Sequence, residues 1–236
     1  MDVDAIQAAM QSYIARHNVS LNQMPRIQSQ LLELGALVLA AEHYRIVGYT
    51  VTTENLVNDR FRLKRNSVGK PWNFSWFRIR KDADEFDIHA NLTVLGAYGL
   101  DEGRYVVDVG VCHSGILPIG SAERKSWISV ENAALITFIE AKRLVVYPML
   151  LAQFIGIVHE LQPKFLAGSA PEKFQHNQHF PPTLVTTGHI AAVCRGIRAG
   201  FLSRGFNIAV LPNLDLALAQ MRTQTLTNSP LLKSDI

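Results

Sequence analysis

The stretch ALITFIEAKR, residues 134–143, is the most informative for the fold class. It is an apolar run with charged residues at its C-terminal end. Its β-branched and aromatic residues predict a buried strand. Side chains two positions apart on a strand point to the same face, so Glu140 and Lys142 should lie side by side at the strand's end. Burying a carboxylate and an ammonium among apolar residues is costly unless they pair with each other or with a metal ion. The pattern of residues 134–143 therefore predicts both a buried strand of a sheet and a functional site at the end of that strand.

A second charged residue stands in an apolar strand upstream. Asp108 lies among valines in YVVDVGV, residues 105–111, and the alternating residues 85–92 before it predict the other half of a hairpin. The order of elements indicates an α/β protein. The other predicted elements are a helix from about Ile27 to Tyr44, an extended segment at 49–54, a helix from Pro148 to about Leu161, a strand at 183–187, a helix at 189–204 and a strand at 207–211.

Length and composition predict a single domain over residues 1–236, with a core at about 27–212 and a polar, frayed tail at about 223–236. The net charge of +3 permits nucleic-acid binding without arguing for it. Two distant cysteines rule out a disulfide framework. The start has no basic and apolar leader, and the longest apolar stretch, 144–158, is too short to span a bilayer. We therefore expect a cytoplasmic protein without membrane contact.

The chain resembles the PD-(D/E)xK nuclease superfamily in one pattern. An acid lies on one strand, a Glu-Ala-Lys set lies on the next strand, and a helix follows directly. The matching residues are Asp108, Glu140-Ala141-Lys142 and the helix at 147–161, within a region of about 27–190. The resemblance implies the restriction-endonuclease-like fold, a three-layer αβα sandwich with a central mixed β-sheet. It also implies an endonuclease that hydrolyses phosphodiester bonds with Mg²⁺ or Mn²⁺. DNA is the expected substrate and partner, although RNA is left open, and so are roles in restriction, phage defence, repair or mobile-element processing.

The resemblance also implies a role for each residue. Asp108 and Glu140 would hold the metal ion with the backbone carbonyl of Ala141, and Lys142 would orient a water molecule or stabilise the anionic transition state. Members of the superfamily often add to the site a glutamate from the first core helix, and Glu42 is the candidate for this role. It could equally be an ordinary exposed residue of that helix. Gln153, on the helix after the strand, is a weaker candidate that could instead be a core or surface residue.

Asp87 competes with Asp108 for the part of the first acid. It lies in the acidic stretch EFDIH, residues 85–89, which could equally be a solvated hairpin surface. We prefer Asp108, because its strand looks more buried and its charge is therefore harder to explain by structure alone.

Four basic residues crowd the stretch 62–70, just before aromatic residues at 72–77. Such interleaving suits contact with phosphates and stacking on bases, but it also suits strands whose aromatics fill the core. The whole protein could likewise be an inactive scaffold that binds nucleic acid or protein, with Glu140 and Lys142 as a strand-end ion pair. A homodimer or a partner subunit would be reasonable for an endonuclease. The four basic residues are Arg62, Lys64, Arg65 and Lys70.

Overall fold

The strand with the charged end lies inside a seven-stranded sheet. The computed structural model describes residue 8, residues 20–21, 28–99, 103–116, 129–168 and 178–214, and residues 229 and 231. Three short 3₁₀ helices span Pro71–Asn73, Asn132–Ala134 and Pro163–Leu166. The strands are β1 (Ser20–Leu21), β2 (Thr50–Glu54), β3 (Arg60–Phe61), β4 (Trp76–Lys81), β5 (Asp84–Leu95), β6 (Arg104–His113), β7 (Leu135–Lys142), β8 (Thr183–Thr186) and β9 (Ala209–Leu211), and the α-helices are α1 (Gln28–Ile46), α2 (Pro148–Leu161) and α3 (Cys194–Ser203).

The large sheet is mixed, with the strand order β2-β4-β5-β6-β7-β8-β9. Neighbours from β2 to β7 are antiparallel, whereas β7, β8 and β9 run parallel. Parallel neighbours need a crossover connection, and α2 and α3 lie in the two crossovers. The short strands β1 and β3 form a separate parallel pair.

Helices cover both faces of this sheet, which places a hydrophobic core on each side. The α1 core joins Leu37 and Tyr44 to strand residues such as Ile88 and Ile139. The α2 core joins Phe154 of α2 and Phe201 of α3 to Leu92, Phe138 and Leu184. Because neighbouring residues of β7 alternate between the two cores, Phe138 and Ile139 serve opposite faces. The predicted α/β class is confirmed.

Local sequence signals located most elements well, with three differences. The stretch that contains β4 was left open between a binding segment and strands whose aromatics fill the core, and the structure shows the strand, with Trp76 and Phe77 buried. α3 begins at Cys194 rather than at 189, since the preceding residues pair with the chain after β7: Gly188 donates to the Leu144 carbonyl, and the Ala191 N–H to that of Val146. No described helix combines the length and apolar character needed to cross a bilayer.

The third difference concerns the polar tail. Ser229 and Leu231 are buried, and the Ser229 hydroxyl is 2.7 Å from Nδ1 of His43 in α1. Their prediction as part of a frayed tail is therefore wrong, because one hydroxyl and one leucine complete the α1 core. The rest of 223–236 lies outside the described residues.

Candidate active site

The site begins where the β6–β7 ladder stops. The last paired residues at this end are Val109 and Ile139. Beyond this pair a side chain replaces the backbone as hydrogen-bond acceptor. Oδ2 of Asp108 accepts a hydrogen bond of 2.7 Å from the backbone N–H of Ala141. A carboxylate thus stands where a strand carbonyl would continue the ladder, and the two strands part around it.

Lys142 joins the two acids. Its ammonium lies 3.1 Å from Oδ2 of Asp108 and 2.8 Å from Oε2 of Glu140. Burial lowers the pKa of Lys142, but the two carboxylates outweigh it and leave the pKa well above the usual value. Lys142 is therefore protonated at neutral pH.

Glu140 is the buried acid of the group, with 4% of its surface exposed. Burial, and then the neighbouring Asp108 charge, raise its pKa to about 7, although Lys142 opposes the shift. Its second oxygen, Oε1, is buried without a hydrogen-bond partner among the described residues. A buried oxygen without a partner is costly, and it is available to accept a hydrogen bond or to bind a cation.

The fourth member of the group is Glu33 of α1, which sequence reasoning missed. Burial raises its pKa, and it lies close enough to Asp108 and Lys142 for both charges to affect that pKa. Its Oε2 accepts a hydrogen bond of 3.0 Å from the Asn91 side chain of β5. The resemblance implied a glutamate on the first core helix, and of the two glutamates in α1 Glu33 is the one whose pKa is affected by the charges of Asp108 and Lys142.

The expected helix residue, Glu42, lies elsewhere. Nine residues separate it from Glu33, which is about 13 Å along a helix. It is 1% exposed, and its Oε2 accepts hydrogen bonds from Arg45 one turn later. The structure therefore corrects both readings of Glu42, since it is neither exposed nor beside Lys142.

Asp87 and Gln153 also lie apart from the acids. Both oxygens of Asp87 accept hydrogen bonds from Arg78, at 2.8 and 3.0 Å, so its charge is already paired. The side chain of Asp87 is more buried than that of Asp108, so the argument used to prefer Asp108 was wrong, although Asp108 is the acid that contacts Lys142. Gln153 lies on the exposed side of α2, away from the sheet.

The basic stretch divides into a buried and an exposed part. Lys64 is 3% exposed, which contradicts its prediction as a nucleic-acid contact. Arg65 is half-buried, and Arg62 is exposed. The Arg62 guanidinium lies over the Phe74 ring at 5.3 Å, and the Lys70 ammonium over the Trp72 ring at 5.3 Å. Trp76 and Phe77, by contrast, are core residues.

The oxygen atoms of this site suit a hard divalent cation. Mg²⁺ binds through one or two carboxylates and retains water, and Asp108 and Glu140 supply two carboxylates, one with an unpartnered buried oxygen. Within the described ranges, no three His, Cys, Asp or Glu side chains form a ready-made metal cluster. A cation here would therefore depend on the backbone carbonyl of Ala141 and on water as well.

The chain matches no protein-family model, no curated protein and no solved structure.

Proposed function

We propose that the protein is a Mg²⁺-dependent endonuclease of restriction-endonuclease-like fold, which hydrolyses phosphodiester bonds in DNA. The observation that carries this proposal is the meeting of Asp108, Glu140 and Lys142 at the point where β6 and β7 part. The helices on both sides of a mixed sheet also suit the fold. Mn²⁺ could replace Mg²⁺, and RNA is the alternative substrate.

Each residue has a role in this proposal. Asp108, Glu140 and the Ala141 carbonyl would hold the cation, which supplies an activated water and neutralises charge on the phosphate. Lys142 keeps its proton, so it can donate hydrogen bonds to an anionic oxygen. Glu33 adds a further negative charge on the α1 side, near Asp108 and Lys142. The pairs Arg62–Phe74 and Lys70–Trp72, in which Arg62 is exposed and the other three residues are half-buried, would contact the phosphates and sugars of the substrate.

The alternative is an inactive scaffold that binds nucleic acid or protein. One observation favours it: Lys142 contacts both carboxylates, as a closed ion-pair group would. The unpartnered Oε1 of Glu140 supports the enzyme, because a carboxylate oxygen that accepts no hydrogen bond is available to a cation.

Cleavage of supercoiled plasmid separates the two proposals. We expect nicking with Mg²⁺ or Mn²⁺ and none with EDTA, and a loss of at least 100-fold in Asp108→Ala and Lys142→Ala. Asp87→Asn serves as the control, since that acid is paired with Arg78 outside the group. Metal-dependent nicking that survives both alanine variants would reject the site, and failure to cut plasmid, single-stranded DNA or RNA would favour the scaffold.

If the enzyme cuts both strands, a second copy would have to supply the second site. Sedimentation with and without a DNA duplex tests whether the chain forms a homodimer for this purpose.

A further inference from the structure

Asn91 has an unusual backbone conformation for a residue inside a long strand. Its φ is +49°, in the left-handed region that few residues other than glycine occupy. Ala90 pairs with Val109 and Leu92 with Val107, so Asn91 and Asp108 face each other across an interruption of the β5–β6 ladder. The interruption reverses the alternation of side chains: Ala90 packs in the α1 core and Leu92 in the α2 core. Such irregularities often redirect a side chain next to an active site.

Lys64 and Asn91 hold each other through reciprocal hydrogen bonds. The Lys64 ammonium donates to the Asn91 carbonyl at 2.5 Å, and the Asn91 carboxamide donates to the Lys64 carbonyl at 3.1 Å. Both residues are buried, at 3% and 6% exposure. Burying a lysine is costly, and it lowers the pKa of Lys64 to about 8. We call this pair the Lys64–Asn91 clamp.

The clamp ends at an acid of the site. The same Asn91 carboxamide nitrogen donates to Oε2 of Glu33 at 3.0 Å. Its two partners, a carboxylate and a carbonyl, are both acceptors, so the orientation of the amide is fixed by its surroundings. Lys64 therefore fixes the backbone of Asn91, and Asn91 fixes the carboxylate of Glu33.

We propose that Lys64 and Asn91 are positioning residues that hold Glu33 toward Asp108 and Lys142. The proposal rests on the proposed nuclease function for its consequence, although the clamp itself can be tested without any substrate. It also gives Lys64 a role different from phosphate contact, because its ammonium is directed to a backbone carbonyl inside the protein.

The first test needs no activity. Urea unfolding is compared for wild type, Asn91→Gly, Glu33→Ala and the double variant. Glycine tolerates the positive φ, so Asn91→Gly removes the carboxamide and leaves the backbone unstrained. We expect the two single shifts of the unfolding midpoint not to add in the double variant, because both remove the same hydrogen bond. Additive shifts would show that Asn91 does not hold Glu33, and would overturn the proposal.

The second test measures the Mg²⁺ dependence of plasmid cleavage. We expect Asn91→Gly and Lys64→Met each to raise the Mg²⁺ concentration for half-maximal cleavage by about 10-fold, and Asn91→Gly to have no further effect in a Glu33→Ala background. The control is Asn132→Ala, which also loses two carboxamide hydrogen bonds, to the carbonyls of Leu95 and Leu161, but touches no acid. It should lower the urea midpoint and leave the Mg²⁺ requirement unchanged.

The outcomes are distinguishable. An unchanged Mg²⁺ requirement in Asn91→Gly, with wild-type cleavage intact, would reduce the clamp to a structural feature and overturn the positioning role. Wild-type protein that cuts no substrate would reject the nuclease function, while the urea measurements would still decide whether Asn91 holds Glu33.

Discussion

The Asp108 carboxylate accepts a hydrogen bond from the backbone N–H of Ala141 at 2.7 Å. The same oxygen contacts the Lys142 ammonium, so one atom of β6 fixes both the backbone and the side chain at the end of β7. Because Glu140 precedes Ala141 directly, its position relative to Asp108 is fixed as well. The acids and the lysine are thus arranged by the sheet before any ligand arrives, which is what a preorganised site requires.

Glu140 should make the stability of the protein depend on pH. Its pKa is about 7 in the folded protein, above the ordinary value of 4.5, so the folded state binds the proton more tightly than the unfolded chain. Its contribution is complete below pH 4.5 and is lost as the pH rises to about 7. In metal-free buffer we expect Glu140→Gln to gain on the order of 3 kcal/mol relative to wild type across this range. Chemical unfolding at several pH values measures the difference, and a constant difference between pH 4.5 and 7.5 would contradict it.

Substitution of Glu33 should affect mainly cleavage, whereas substitution of Glu42 should affect mainly the stability of the fold. Glu33→Gln removes a charge beside Asp108 and Lys142, so we expect cleavage to fall at least 10-fold with little loss of stability. Glu42→Gln weakens a part-buried contact with Arg45 and should lower the free energy of unfolding by about 1 kcal/mol, with cleavage by the folded protein unchanged. The two variants are compared in plasmid cleavage and urea unfolding. The reverse pattern would restore Glu42 as the helix acid of the site.

The basic and aromatic pairs Arg62–Phe74 and Lys70–Trp72 should contribute to DNA binding. Arg62→Gln and Lys70→Gln should each reduce the slope of log affinity against log salt by about 1, because each removes one phosphate contact. Fluorescence anisotropy over a salt series measures this slope in metal-free buffer. Arg204 is the matched control, since it is also exposed and lies over aromatic rings, those of Phe201 and Phe206. An equal effect of Arg204→Gln would mean that binding reflects overall charge alone.

Gly188 should be sensitive to any added side chain. A Cβ there would lie 2.7 Å from Cα of Val145 and 2.8 Å from the Leu144 carbonyl oxygen, in the segment that follows Lys142. We expect Gly188→Ala to lower the free energy of unfolding by about 1–3 kcal/mol, because backbone must move. Gly156→Ala, on the exposed side of α2 with nothing within 4 Å, should instead raise it by about 0.5–1 kcal/mol. Equal shifts in thermal or urea unfolding would contradict the steric explanation.

The helices α1 and α2, the β5–β6 hairpin and β7 could be predicted from sequence because their signals are local. Glu140 and Lys142 share a face for the same reason, since strand side chains repeat every two residues. What surrounds them could not be predicted in this way. Burial did not identify the partner acid: Asp87 is the more buried of the two candidates, yet it pairs with Arg78.

The sequence by itself determined the strand and the Glu140–Lys142 pair at its end. Only the tertiary structure decided that Asp108 completes the group, that Glu33 rather than Glu42 joins it, and that Lys64 is inside the protein. The physical reason is that strand register and helix docking are set by non-local packing. Sliding α1 or shifting a strand would leave every local pattern intact while bringing different side chains to Lys142.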